Sequence, residues 1–315
     1  MAALSKTENV IGIAALSLGV LIFSTQDAII KSLSGDYAVT QAIVIRGLVS
    51  LPILAAMVQF ECGLRALRSR QLWPMLARGV IMLIAYTAYY MAFPALPLAE
   101  AVALFFTAPI MVTVMAGPFL GEHVSLKSWL AVASGFAGVL IILQPGSALF
   151  EPAALLSLIS ATAYASSMIL ARRLGVSEPA SVMAFYQNCV FLTGAAGLAL
   201  LFAGLGIEQS GHPSVEFLVR PWVMPSTVDF LLMAACGVIA AIAMFLLTHA
   251  YRMAEAKLVT VFEYTGMIWT PLWGFLFFAE IPRWTTLAGT LLIVASGIYA
   301  VRAAQRARPM KPQTA

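Results

Sequence analysis

Gly79-Val80-Ile81, Ala92-Phe93 and Leu98-Ala99-Glu100-Ala101 recur further along the chain as Gly237-Val238-Ile239, Ala250-Tyr251 and Met253-Ala254-Glu255-Ala256. Each copy runs on through an apolar stretch to an acidic stop, Gly121-Glu122 in the first and Ala279-Glu280 in the second. The offset is 158 residues between Gly79 and Gly237, 155 between Glu100 and Glu255, and 158 again between Glu122 and Glu280. The same text is therefore written twice, with only small insertions between the copies.

Composition says what kind of text it is. Of 315 residues, 61% are hydrophobic and 10% charged, and the mean hydropathy is +0.93. A soluble domain carries roughly 25% charged residues. Asn9–Gln26, Gly79–Ala99, Ser128–Phe150 and Phe230–Tyr251 contain no Asp, Glu, Lys or Arg. Each is about 20 residues, the length of helix that crosses ~30 Å of hydrocarbon. The alternating pattern of a membrane β-barrel is absent. The reading is an all-α polytopic membrane protein with ten transmembrane helices, near 10–31, 38–60, 72–93, 98–120, 126–144, 152–172, 180–205, 228–251, 256–279 and 284–302. The halves are 1–147 and 148–315, joined near Gln144-Pro145-Gly146-Ser147. Five spans per half is an odd number, so the two repeats must lie inverted in the bilayer. That architecture is found in secondary transporters, which bind their solute at the repeat interface. The longest loop, about 206–227, is polar and contains proline.

With the N-terminus inside, 13 of the 18 Lys and Arg fall on the inner side, among them Arg65, Arg68, Arg70, Lys127, Arg172 and Arg173. This bias predicts both termini in the cytoplasm and agrees with an even number of spans. The net charge of +4 requires no nucleic-acid partner. Cys62, Cys189 and Cys236 have no paired spacing, and His123, His212 and His249 are scattered without metal-ligand spacing. No cofactor or metal is expected. No phosphate-binding glycine loop occurs, so transport would be driven by a gradient or by exchange. An intramembrane enzyme lacks its nucleophile and base here, and a channel lacks a filter-like loop.

An ionisable group inside a span is costly and usually pairs or faces water. Asp27, Arg46, Arg78 and Glu263 are four such groups. Depth along the helices predicts that Asp27 pairs with Arg46 or shares a water-filled pocket with it, and that Arg78 pairs with Glu263. Lys31, four residues after Asp27, can compete for it. Such pairs either lock helices or gates, or bind a charged solute or a coupling proton. Tyr86 and Tyr90 stand one turn apart beside the Tyr89 and Phe93 stripe. Tyr164, Gln187, Tyr264, Trp269 and Thr270 are further polar-tipped groups within spans. Aromatics of this kind away from the headgroups suit a cavity for an organic solute, although each also fits ordinary packing. Pro109, Pro118 and Pro271 interrupt the fourth and ninth spans, which are repeat partners. Ser134-Gly135, Gly138 and Ser296-Gly297 suit close helix packing.

Asp27-x-x-x-Lys31 followed by Arg46, the Ala-Glu-Ala starts of spans four and nine, Phe119-Leu120-Gly121-Glu122, and Phe262-Glu263-Tyr264 with Trp269 and Phe278-Ala279-Glu280-Ile281-Pro282 together resemble the drug/metabolite transporter superfamily, in its EamA-type ten-helix branch. The resemblance covers essentially the whole chain, with Ala279 where the family more often has Gly. It implies a carrier with a central cavity lined from both halves, working by alternating access in a bacterial inner membrane. Its partners would be a small-molecule substrate, the lipid bilayer, and a coupling proton or an exchanged solute. Within the superfamily the pattern looks most like carriers of S-adenosylmethionine, riboflavin and related metabolites, with amino-acid or drug exporters as the alternative.

Overall fold

The computed structural model describes residues 6–69, 71–120, 126–147, 149–174, 179–209, 211–253 and 264–306. Among the described residues the chain is helical and forms no strand. In the first half the helices are α1 (Lys6–Leu33), α2 (Val39–Glu61), α3 (Leu72–Met91), α4 (Leu98–Phe105), α5 (Ala108–Leu120) and α6 (Leu126–Leu143). In the second they are α7 (Ala154–Leu174), α8 (Ala180–Leu205), α9 (Pro213–Val219), α10 (Thr227–Met253), α11 (Gly266–Phe278) and α12 (Trp284–Arg306). Six helical segments are long and apolar enough to cross a membrane: Val10–Leu33, Val39–Glu61, Leu72–Met91, Leu98–Met115, Leu126–Leu143 and Ser181–Leu205. Four more apolar helices are shorter over their described residues: Ala154–Leu170, Thr227–Ala243, Gly266–Phe278 and Trp284–Tyr299. Large apolar side chains such as Leu48, Ile84, Ile268 and Leu291 face outward, as helices do when lipid is their solvent.

Two readings of the sequence are refined. The fourth span is two helices, not one. Pro109 has no N–H to offer the Phe105 carbonyl, so the ladder stops; Thr107 turns back to Leu104 at 3.2 Å and α5 restarts at Ala108. The long loop carries α9, started by Pro213 in the first turn and by His212, whose ring nitrogen caps the Ser214 N–H at 3.2 Å.

The helices pack in defined pairs: α6 with α12, α1 with α10, α2 with α8, α3 with α7 and α8, and α10 with α2. Glycines set the closest approaches. A Cβ on Gly138 would stand 2.8 Å from the Gly289 carbonyl, and one on Gly289 would stand 2.6 Å from the Gly138 carbonyl, so α6 and α12 touch backbone to backbone. Gly237 of α10 likewise meets the Arg46 carbonyl of α2, with the Val49 side chain beside it, whereas Gly79 of α3 meets the Val190 side chain of α8.

Contacts between connections sort into two ends of the bundle. At one end the Arg220 guanidinium donates to the Ser34 and Gly35 carbonyls, Trp222 donates to Thr40 at 2.9 Å, Gln41 grips the Val223 backbone at both its N–H and C=O, and Tyr37 donates to Asp229 at 2.7 Å. At the other, Glu61 accepts the Ser181 N–H at 3.3 Å and Tyr186 donates to the Leu67 carbonyl at 2.5 Å. We call these the Lys31 end and the Cys62 end.

Candidate functional site

A cavity of about 190 Å³ lies between helices of both halves. Asp27 enters it from α1, Tyr86 from α3, and Tyr164 from α7. Tyr89, Pro109 and Thr270, also marked in the sequence, line it with them. The break between α4 and α5 presents two more rings, Phe105 and Phe106, and α11 begins against it at Gly266. A Cβ on Gly266 would come within 3.1 Å of the Phe106 ring and 3.2 Å of Val20, so a side chain there would push both neighbours back by a few tenths of an ångström.

Asp27 and Arg46 were expected to pair or to share a pocket; phenols from α3 replace the direct pair, and Arg46 does not line the cavity that Asp27 enters. Tyr89 donates to Asp27 Oδ2 at 3.0 Å. Tyr90, fully buried, accepts from Arg46 at 2.9 Å and from the Gln26 amide at 2.9 Å. Arg46 also lies over the Tyr86 ring, 5.8 Å from its centroid. Among the described residues no ion pair joins Asp27 to Arg46; α3 stands between them with hydroxyls that serve each charge separately. Arg46 and Tyr90 thus form a layer behind the cavity wall.

Lys31 does not compete for Asp27. Its ammonium pairs with Glu280 at 2.5 Å, donates to the Leu96 carbonyl at 2.6 Å and sits 5.3 Å from the Phe278 ring centroid. The other oxygen of Glu280 accepts the Leu98 N–H at 2.8 Å, the first turn of α4. At the bundle end a carboxylate and a free carbonyl are both within reach, and an ammonium is cheaper there than one turn deeper. This cluster ties the end of α1, the start of α4 and the end of α11 together, one turn beyond Asp27.

The other expected residues fall elsewhere. Arg78 donates to Gln187 at 3.1 Å, joining α3 to α8; its expected partner Glu263 lies outside the described residues, as does most of the segment before α11. Tyr264 is buried against Phe106, 5.5 Å between ring centroids, and its hydroxyl occupies the space a side chain at Gly297 would need. Trp269 is half-buried and does not line the cavity.

Several contributors carried little or no signal of their own in the sequence. Phe23, Phe105 and Phe106 line the cavity with nothing in their spacing to mark them, and Gln26 and Ser160 line it as small polar breaks in apolar spans. Ser160 is fully buried, and its hydroxyl meets no hydrogen-bond partner among the described residues. Asn188, a polar residue visible beside Gln187 within its span, bridges α8 to α2, donating to the Gly47 carbonyl at 3.0 Å and accepting from Ser50 at 2.9 Å.

Comparison with known proteins gives this arrangement its class. Residues 10–144 and again 151–302 match the EamA-like transporter family, and the chain belongs to that family. It is a multi-pass membrane protein. A riboflavin transporter of Rhizobium johnstonii is 31% identical over 266 residues, covering 84% of this chain and 80% of that one. The pseudopaline exporter of Pseudomonas aeruginosa is 27% identical over 290 residues, 91% and 94% of the two chains. An S-adenosylmethionine uptake transporter of Rickettsia bellii is 22% identical over 249 residues, 79% of each. A solved crystal structure shares the fold with a TM-score of 0.62 at 20% identity, over 95% of this chain and 99% of that one.

Proposed function

We propose that the chain is a secondary-active carrier of a small organic metabolite, working by alternating access in a bacterial inner membrane with both termini cytoplasmic. The observation that carries this reading is the ring-walled cavity built by α1, α3 and α4 of one half with α7 and α11 of the other, holding the Asp27 carboxylate. Asp27, Tyr86 and Tyr164 are its binding groups; Arg46, Tyr90, Arg78 and Gln187 hold the wall behind them. Relatives that carry riboflavin, S-adenosylmethionine and pseudopaline support a metabolite as cargo.

The chain spans the membrane ten times as two inverted five-helix halves, 1–147 and 148–315. Support comes from the double family match and from the packing. Exchanging the halves turns the pair α1 with α10 into α7 with α3, and α2 with α10 into α8 with α3; both members of each exchange are present. The repeated glycines obey the same exchange. Gly79 faces Val190, Gly237 faces Val49, and an offset that aligns Arg46 with Gln187 aligns Val49 with Val190.

The Lys31 end faces outward and is shut. The Lys31–Glu280–Leu98 cluster is the latch that opens when the carrier turns over. Proteoliposomes loaded with riboflavin or S-adenosylmethionine test the carrier directly. A carrier gives saturable counterflow of the labelled solute; linear flux or none contradicts it.

A further inference from the structure

We propose that the cavity takes an organic cation, an ammonium or amidinium carried on a planar aromatic body, with its charged N–H seated against Asp27. The inference rests on the carrier reading of the same cavity and narrows its cargo to one chemical class.

Asp27 is the one Asp, Glu, Lys or Arg among the described residues lining the cavity. Tyr89 takes its Oδ2, and Oδ1 accepts no hydrogen bond among the described residues. The residue keeps partial exposure at the cavity wall. The two nearby guanidiniums do not reach the space. Arg46 is held behind the Tyr86 ring by Tyr90, and Arg78 is held by Gln187. An anion entering here would meet a carboxylate oxygen first, and a cation would meet its counterion.

The walls suit the same guest. Phe23, Tyr86, Tyr89, Phe105, Phe106 and Tyr164 turn aromatic surface to the cavity from four helices and the α4–α5 break. Ring faces attract cations and stack on flat organic bodies. Two buried polar side chains complete the site. Ser160, fully buried, offers a hydroxyl that the described protein leaves unpaired, and Gln26, 1% exposed, leaves its Oε1 unpaired.

Tryptamine, tryptophol and indole-3-acetate carry one ring system with a positive, neutral and negative tail. Binding of each to the purified full-length protein is measured by thermal shift and calorimetry. The expected order is tryptamine, tryptophol, indole-3-acetate, with the cation favoured over the anion by about tenfold or more, the scale of a charge-assisted hydrogen bond. Asp27→Asn removes that preference and Asp27→Glu keeps part of it. If Asp27→Asn does not fold, the order of the three ligands on the unaltered protein decides. Equal or tighter binding of the anion, a preference that survives Asp27→Asn, or no binding of any of the three overturns the inference. Riboflavin counterflow alongside any of those results leaves the carrier standing without its cation site. Tryptamine binding with no counterflow of any solute leaves the site and removes the carrier.

Discussion

Tyr90 shows how one side chain organises a buried charge. Its hydroxyl is shared by Arg46 and Gln26, and its ring is fully buried. Tyr90→Phe keeps the ring and strips both donors of their acceptor. The expected cost is roughly 2–4 kcal/mol, since one of the stranded donors is charged. Thermal unfolding in detergent reads it, and a variant as stable as the parent would mean that the network carries nothing. Asp27, Tyr86 and Tyr164 were legible at this scale because a charge or a phenol in apolar text stands out. Phe105, Phe106 and Ser160 were not: in a helix that is apolar all round, nothing in the spacing tells a cavity face from a lipid face. Nor could depth alone foresee that Tyr89 and Tyr90 would divide Asp27 from Arg46.

Between helices, the repeated Gly-Val-Ile pieces mark two equivalent close contacts of unequal hardness. A Cβ at Gly237 would stand 2.5 Å from the Arg46 carbonyl, which is backbone and cannot step aside. At Gly79 the nearest atom is a Val190 methyl at 2.8 Å, and a side chain yields more readily. Gly237→Ala should therefore destabilise by about 2–3 kcal/mol and Gly79→Ala by about 1 kcal/mol, within the range of overpacked cores. Parallel melting curves check the order, and the reverse order would contradict the contact geometry. The six long apolar spans, the short connections and the proline break were readable from hydropathy and from Pro109. The extra helix α9 was not, because a seven-residue helix capped by His212 in a polar loop leaves no apolar stripe to find.

Across the whole molecule, the Lys31–Glu280 pair joins residues 249 positions apart, one helical turn beyond Asp27. Both residues were visible in the sequence, Lys31 beside Asp27 and Glu280 as the acidic stop of the second copy. Their meeting was not, because it depends on how the halves dock. Lys31→Met or Glu280→Gln alone leaves a partly buried group short of its partner, and about 2 kcal/mol of stability should be lost. The double variant Lys31→Met/Glu280→Leu should recover most of that loss, since apolar side chains can replace such a pair. It should still transport poorly, because two large apolar side chains hold this end shut with no ion pair that water can release, whereas a small pair such as two cysteines holds nothing shut until it is linked. A double variant with normal transport would make the pair a structural clasp only.

The most direct test of alternating access around this cavity links the two sides of the latch. Lys31→Cys and Glu280→Cys are placed in a protein whose Cys62, Cys189 and Cys236 are replaced, and the pair is joined by a short cleavable thiol cross-linker in proteoliposomes. Counterflow of riboflavin, S-adenosylmethionine and tryptamine is then followed before linking, after linking and after cleavage. The account predicts saturable counterflow of at least one solute, its arrest on linking and its return on cleavage. Flux that is absent throughout, or that continues unchanged through the closed latch, contradicts it.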